Sequence, residues 1–232
     1  MENSNKIAAV ILAAGAGNRM FSPITKQKLN ICGASVLKRC VAAFNSADIV
    51  SSIVVVCRDD EIDFATSELA EFDSKPIKIV TGGQTRQMSA KIGFLSVCDE
   101  CDFVAIHDGA RCLVTPKMIN DVCSAAILFG CATASAAVTD TVKCIDGGFT
   151  VSSVKRENLC FAQTPQVFSC DLYKRALAAS DDVNSTDDNT LVEALGVRVK
   201  LVDTGKENIK ITSAEDISYA EYIISKRGEC CG

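Results

Sequence analysis

The residues with the most chemical content lie early in the chain, where Ile11-Leu12-Ala13-Ala14-Gly15-Ala16-Gly17-Asn18-Arg19-Met20 is followed by Lys26-Gln27-Lys28. Glycine lets a backbone turn sharply and bring its N–H groups against an anion, and Arg and Lys neutralise that anion's charge. The apolar run Ile7 to Leu12 reads as a buried strand that breaks into this loop. The combination points to phosphate. Two familiar phosphate loops do not fit it. A P-loop needs G-x-x-x-x-G-K-[ST], which occurs nowhere here. A dinucleotide fingerprint needs a third glycine where Met20 stands, and an acidic ribose ligand in the region held by Lys38 and Arg39.

Three more clusters follow apolar runs. Gly82-Gly83-Gln84-Thr85-Arg86, with Ser89 beyond it, follows Ile77–Thr81, and His107-Asp108-Gly109-Ala110-Arg111 follows Phe103–Ile106. Late in the chain come Arg156, Thr164-Pro165-Gln166, Thr186-Asp187-Asp188 and Asn208-Ile209-Lys210-Ile211-Thr212. This inventory suits a phosphate monoester attacking the α-phosphorus of a nucleoside triphosphate. The second pKa of such a nucleophile is near 6, so it is mostly dianionic at neutral pH and needs no general base. That agrees with a chain whose one histidine, His107, ends a strand and reads as structural. Two polyanions must instead be brought together, so positioning and electrostatics carry the catalysis. Cations from several loops and Mg²⁺ meet that need, with Asp108 as the carboxylate nearest the metal.

The elements that must hold these groups alternate. Ile53–Cys57, Ile77–Thr81, Phe103–His107, Ala132–Val138 and Val197–Val202 read as strands. Between them, Ser35–Asn45, Glu61–Glu71, Gln87–Val97, Pro116–Phe129, Asp171–Ala179, Asp187–Leu195 and Ala214–Ser225 read as helices, with Ser35, Thr115 and Ser213 as N-caps. The strands are continuously apolar, as in a sheet covered on both faces. The expected fold is α/β: a single doubly wound, mainly parallel sheet whose ligand sits beyond the strands' carboxyl ends. Residues 139–161 break the alternation. They are polar and carry the hairpin signal Asp146-Gly147-Gly148, so they read as a projecting β-arm inserted in one domain spanning 1–232.

Composition narrows the class. A net charge of −5 argues against a broad nucleic-acid surface. No apolar run approaches the roughly 18–20 residues of a membrane helix, and the first residues carry no signal-peptide pattern, so a cytoplasmic protein without membrane contact is expected. The 13 cysteines are odd in number and argue for a reducing compartment rather than a disulfide framework. Most lie in apolar runs and read as small hydrophobes. Cys98-Asp99-Glu100-Cys101 has metal or redox spacing but no partner pair.

Taken in order, the motifs resemble those of nucleotidyltransferases that join a sugar or polyol phosphate to a nucleoside triphosphate, and within them the 2-C-methyl-D-erythritol 4-phosphate cytidylyltransferases. The likeness runs through L-A-A-G-A-G-N-R-M at 12–20, K-Q at 26–27, G-G-x-x-R-x-x-S at 82–89 and H-D-x-A-R at 107–111. It continues through D-T-V-K at 140–143, R-x-x-L-x-x-A-Q-T-P-Q-x-F at 156–168, T-D-D at 186–188 and E-N-I-K-I-T at 207–212. The resemblance implies a Rossmann-like nucleotidyltransferase fold and transfer of CMP from CTP to a polyol phosphate of the non-mevalonate isoprenoid pathway. The backbone of Ala13, Ala14, Gly15, Ala16 and Gly17, with Gly83, Ser89, Asp108 and Gly109, would hold CTP. Arg19 and Lys26 would neutralise the triphosphate and stabilise the transition state, while Arg156 and Lys210 orient the substrate phosphate. Arg111, Thr141, Thr164 and Asp187 would line the polyol pocket. The arm would cross to a second subunit, so that Thr141 and Arg156 act in the partner's site of a homodimer. Ribitol-5-phosphate cytidylyltransferases and a non-catalytic nucleotide binder are the competing readings. The chain departs from the family pattern at Thr25, where proline is usual, at Lys28, where an aromatic is usual, and at Gly109 and Cys112 in H-D-A-A-R-P.

Overall fold

Six consecutive buried residues, Ile7–Leu12, form β1 in the computed structural model, which describes residues 5–15, 25–180 and 187–229. After it come the short pair β2 (Asn30–Ile31) and β3 (Ala34–Ser35), then α1 (Val36–Asn45), β4 (Val50–Cys57), α2 (Ile62–Leu69), β5 (Ile77–Thr81) and α3 (Arg86–Leu95). The chain continues through β6 (Phe103–Asp108), α4 (Pro116–Phe129), β7 (Cys131–Ala137), β8 (Val142–Asp146), β9 (Phe149–Val154) and β10 (Cys160–Ser169). It ends with α5 (Cys170–Ala179), α6 (Asn189–Glu193), β11 (Lys200–Asp203) and α7 (Ala214–Lys226).

Seven strands make the central sheet in the order β11-β7-β10-β6-β1-β4-β5. Side chains alternate across a strand, so β1 is claimed from both sides. Ile7, Ala9 and Ile11 pack with α1, α2, α4 and α7, through residues such as Phe44, Leu69, Val122 and Ile223. Ala8, Val10 and Leu12 pack with α3, α5 and α6, through Phe94, Tyr173 and Leu191. Each large apolar side chain buried this way contributes roughly 1.5–3 kcal/mol. The sheet is therefore doubly wound, as the apolar runs predict. Ser35 and Thr115 cap α1 and α4, accepting from Lys38 N at 3.0 Å and Met118 N at 3.2 Å. At α7, Asp216 accepts the Ser213 N–H at 2.8 Å. Gly93 sets the depth of α3: a β-carbon there would strike Val10 and would come within 2.7 Å of Val56 Cγ2. The glycine thus lets the helix that opens with Arg86 lie directly on β1 and β4.

Two features differ from the sequence reading. Residues 160–169 form a full strand, antiparallel to both neighbours, so the sheet is mixed. Pro165 hides this strand, because proline has no N–H for a central ladder. The register shifts between Ala162 and Gln166 on the β7 side, and the proline falls inside that break. The predicted arm is also shorter than 139–161: its hairpin is β8–β9, turning at Gly147 (φ 53°) and Gly148 (φ 86°), both positive as a type I′ turn requires. By Cys160 and Phe161 the chain already pairs with Ala137 and Ala136 of the main sheet. The hairpin is exposed along nearly its whole length. Among the described residues, no helix is long and apolar enough to cross a membrane.

Candidate active site

From β1 the chain winds outward to β4 and β5, then returns to place β6 on the other flank of β1. Such a reversal opens a crevice at the carboxyl ends of the strands. A cleft of about 400 Å³ lies there, lined by Ala14 and Gly15 after β1, by Gly83, Arg86 and Ser89 around the start of α3, and by Lys26, Gln27, Asp108 and Lys210. Four segments far apart in sequence thus supply its charged groups.

Asp108, the last residue of β6, is the hub. Its Oδ1 accepts from Arg86 Nε at 3.0 Å and its Oδ2 from Lys210 Nζ at 2.7 Å. Burial opposes its ionisation, but Arg86, Lys210 and Arg111 overcome that and hold its carboxyl far below the usual carboxylate range. Arg86 in turn donates from Nη1 to Asp188 Oδ2 at 2.6 Å. Asp188 is almost wholly buried and also accepts from Tyr173 Oη at 2.6 Å, while its N–H donates to Gln166 Oε1 at 3.0 Å. Burial acts against the Arg86 charge, yet the two carboxylates raise its pKa further above the ordinary arginine value.

Beneath Asp108 runs a directed hydrogen-bond chain. The carbonyl of Arg111 can only accept, so His107 Nε2, 3.2 Å away, carries the proton. His107 Nδ1 is then an acceptor for the Thr164 hydroxyl at 3.0 Å, and Thr164 Oγ1 accepts the Asp108 N–H at 3.0 Å. Burial pushes His107 down to about 4, so this imidazole is neutral at physiological pH. Asn208 ties the last loop to the same place, donating to the Thr164 carbonyl at 2.9 Å, and the Ile211 N–H donates to the Ala110 carbonyl at 2.8 Å. That pairing sets Lys210 beside Asp108 and gives Lys26 Nζ an acceptor in the Ile211 carbonyl at 3.1 Å.

On the loop after β5, Ser89 accepts the Gly83 N–H at 3.1 Å and donates to the Thr85 carbonyl at 3.0 Å. A β-carbon at Gly82 would come within 2.6 Å of Ala14 Cβ, so glycine keeps the loop against the end of β1.

The structure brings Ala14, Gly15, Lys26, Gly83, Ser89, Asp108 and Lys210 into one cleft. Ala13 does not reach it: its side chain is in the core and its N–H donates to the Val56 carbonyl at 2.7 Å. Gly109 lies behind Asp108, its N–H on the Leu12 carbonyl at 2.9 Å, where a β-carbon would crowd that oxygen and Gln27. Thr164 is buried under the cleft, and Arg111 is turned toward the Asn208 carbonyl at 2.8 Å. Asp187 accepts from Gln166 Nε2 at 2.9 Å. Thr141 and Arg156 sit on exposed segments beside the hairpin, outside the cleft of their own chain, with Arg156 Nη1 on the Thr139 carbonyl at 2.7 Å. Ala16, Gly17, Arg19 and Thr186 lie outside the described residues. The sequence reading notes the runs containing Arg86 and Asp188 but gives neither residue a role. The signal was the arginine beside Gly82-Gly83 and the second of two adjacent aspartates.

The departures from the family pattern find local partners. The Thr25 hydroxyl donates to the buried Glu61 carboxylate, Lys28 Nζ stands 5.1 Å over the Phe64 ring, and Cys112 is packed into the core. The first two contacts keep the Lys26–Gln27 turn attached to the body of the protein.

A family model described as 2-C-methyl-D-erythritol 4-phosphate cytidylyltransferase (IspD) matches residues 7–226. A curated protein of that name from Caldanaerobacter subterraneus subsp. tengcongensis is 39% identical over 225 residues, covering 95% of this chain and 99% of that protein. One from Pelotomaculum thermopropionicum is 39% identical over 228 residues, covering 96% of each. Among solved structures, the 4-diphosphocytidyl-2C-methyl-D-erythritol synthase of Anaerococcus prevotii superposes with a TM-score of 0.84 at 28% identity, covering 96% of this chain and all of that one. The 2-C-methyl-D-erythritol 4-phosphate cytidylyltransferase of Thermus thermophilus gives 0.73 at 28% identity, covering 94% and 98%.

Proposed function

The chain belongs to the 2-C-methyl-D-erythritol 4-phosphate cytidylyltransferase family, and on that premise we propose how its own residues move CMP from CTP to the acceptor phosphate. The reaction is CTP-dependent cytidylyl transfer in isoprenoid biosynthesis. It yields 4-diphosphocytidyl-2-C-methyl-D-erythritol and pyrophosphate. The relatives named above favour methylerythritol phosphate over ribitol phosphate as acceptor.

One observation carries the assignment of roles: Lys26, Lys210, Arg86 and Asp108 converge on a cleft floored by Ala14, Gly15 and Gly83. CTP lies over that floor, with its nucleoside against the Gly82–Gly83 loop and its triphosphate toward Lys26 and Arg19. Lys26 and Arg19 stabilise charge that builds on the α-phosphate and the departing pyrophosphate. Lys210 and Arg156 orient the acceptor phosphate in line with the α-phosphorus, and Arg111, Thr141, Thr164 and Asp187 shape the polyol site. Because the acceptor is already dianionic, His107 moves no proton in the reaction. Its neutral ring fixes Thr164, and through it the Asp108 backbone.

Mg²⁺ is held in sites of this kind by one or two carboxylates plus substrate phosphates. Asp108, ionised and at the rim of the cleft, fits that donor set, and it would hold the ion against the triphosphate. Bound there, Mg²⁺ would supply charge neutralisation to the phosphates. We read the protein as a cytoplasmic homodimer, and one feature of the arm supports the second subunit. Phe149 and Val151, two apart on β9, are large apolar side chains exposed on the arm, of the kind that docks a second copy.

The test is pyrophosphate release from CTP in Mg²⁺ buffer with methylerythritol 4-phosphate or ribitol 5-phosphate. Release with the first alone is expected. Release with the second alone would reassign the acceptor, and release with neither would remove the enzymatic reading.

A further inference from the structure

The Cys98-x-x-Cys101 spacing finds its partner elsewhere in the chain. Cys101 Sγ lies 3.4 Å from Cys170 Sγ, across a sequence separation of 69. The backbone holds the two together: the Cys170 N–H donates to the Asp102 carbonyl at 2.8 Å, and Ser169 pairs with Phe103 where β10 meets β6. The Asp102 and Phe103 N–H groups are anchored on the Lys6 carbonyl at 2.9 and 3.1 Å, so this corner is pinned from both sides. Cys98 faces elsewhere, toward the Leu95 carbonyl at 3.9 Å and Asp99 Oδ1 at 3.7 Å. Among the described residues, no group of three or more His, Cys, Asp or Glu side chains is placed to hold a metal.

We propose that Cys101 and Cys170 are a peroxide-oxidisable pair that closes to an intramolecular disulfide. Cys101 is half-buried and reachable, whereas Cys170 is buried at the first turn of α5. The hydrogen bond from Cys170 lowers the Cys101 thiol pKa below its ordinary value, and the same contact with burial raises that of Cys170. Cys101 is therefore the sulfur that reacts first. Its thiolate attacks hydrogen peroxide, the O–O bond breaks, and sulfenic acid forms with release of hydroxide, which takes up a proton as water. The Cys170 sulfur then attacks the Cys101 sulfur, the S–O bond breaks, and a second water leaves with the Cys170 proton. Two thiols and one peroxide give one disulfide and two waters.

The crosslink joins the start of β6, whose far end carries Asp108, to the start of α5, whose Tyr173 holds Asp188. It forms at the amino end of β6, away from the cleft, so it stiffens the frame of the site without entering it. Closing a loop of this length stabilises a protein chiefly by restricting its unfolded chain, and the expected rise in Tm is roughly 5–15 °C.

The test treats the reduced protein with hydrogen peroxide, using a Cys98→Ser/Cys160→Ser variant. In it, a crosslink between tryptic peptides 92–111 and 157–174 can only join Cys101 to Cys170. Expected are that crosslink, a mass loss of two hydrogens, a higher Tm reversed by a thiol reductant, and unchanged kcat. Loss of the Tm rise in Cys101→Ser and Cys170→Ser variants completes the case. Absence of the crosslink, or a crosslinked protein with unchanged Tm, would overturn the proposal.

Discussion

Arg86 stands between two carboxylates that are 80 residues apart in sequence, with Asp188 Oδ2 at 2.6 Å and Asp108 Oδ1 at 3.0 Å. Asp188 is the buried end of this bridge and Asp108 the end that faces the cleft. Arg86 therefore transmits the placement of Asp188, set by Tyr173 and Gln166, to the carboxylate proposed to meet the triphosphate. Removing one partner of a buried pair costs about 3–5 kcal/mol, because the other charge is left uncompensated. Asp188→Asn should accordingly lower kcat/KM by roughly 10–100-fold with a loss of folding stability. Tyr173→Phe removes only one hydrogen bond and should cost about 1–2 kcal/mol in urea unfolding. Wild-type kinetics in Asp188→Asn would show that Arg86 holds Asp108 without it.

Lys26 is proposed to act on charge that exists only as the α-phosphate is attacked. Lys26→Ala should therefore lower kcat by roughly 10²–10³ at saturating CTP, and Arg19→Ala should do the same. An effect confined to KM, measured by steady-state pyrophosphate release, would instead make Lys26 a ground-state binding group.

His107 gives a pH signature. Burial lowers its pKa from 6.5 to about 4, with the cations Arg111 and Arg86 adding to that and Asp108 opposing it. The unfolded chain therefore binds the proton first as pH falls. The stability tied to the neutral ring is complete above about 6.5 and is lost as pH drops toward 4, by about 2 kcal/mol between pH 7.5 and 5. Urea unfolding at those two values measures the loss. The chain holds one histidine, so the imidazole NMR resonance needs no assignment and should not titrate above pH 5. Titration near 6.5 would mean that the ring is solvated and the Thr164 contact absent.

The parts of this site legible in the sequence are those written in local pattern. Strand ends followed by Gly, Asp or Lys mark the rim of the cleft, and Ser35 and Thr115 mark helix starts, because caps and apolar runs are decided within a few residues. What was not legible depends on meetings across the chain. Arg86 acquires a role only where Asp188 arrives, 102 residues later. Ala13 belongs to the same loop as Gly15, yet the parallel register with β4 commits its N–H to Val56. β10 is obscured because Pro165 contradicts a central strand everywhere except at a break in register, and that break is a property of the assembled sheet.

Arg156 and Lys26 test whether the site is shared. Arg156→Ala and Lys26→Ala should each be nearly inactive alone. In a mixed dimer, the subunit that keeps Lys26 receives an intact arm from its partner, so one of its two sites is complete. Random reassortment of equal amounts makes about half the dimers mixed, and about a quarter of wild-type activity should return. If Arg156 served its own chain, both sites of the mixed dimer would be defective and nothing would return. Mixing the two purified variants after mild dissociation, then measuring pyrophosphate release against time, distinguishes these outcomes. An Arg156→Ala/Lys26→Ala double variant mixed with wild type is the control: each mixed dimer then pairs two singly defective sites, so activity should fall from half the wild-type value to about a quarter as subunits exchange.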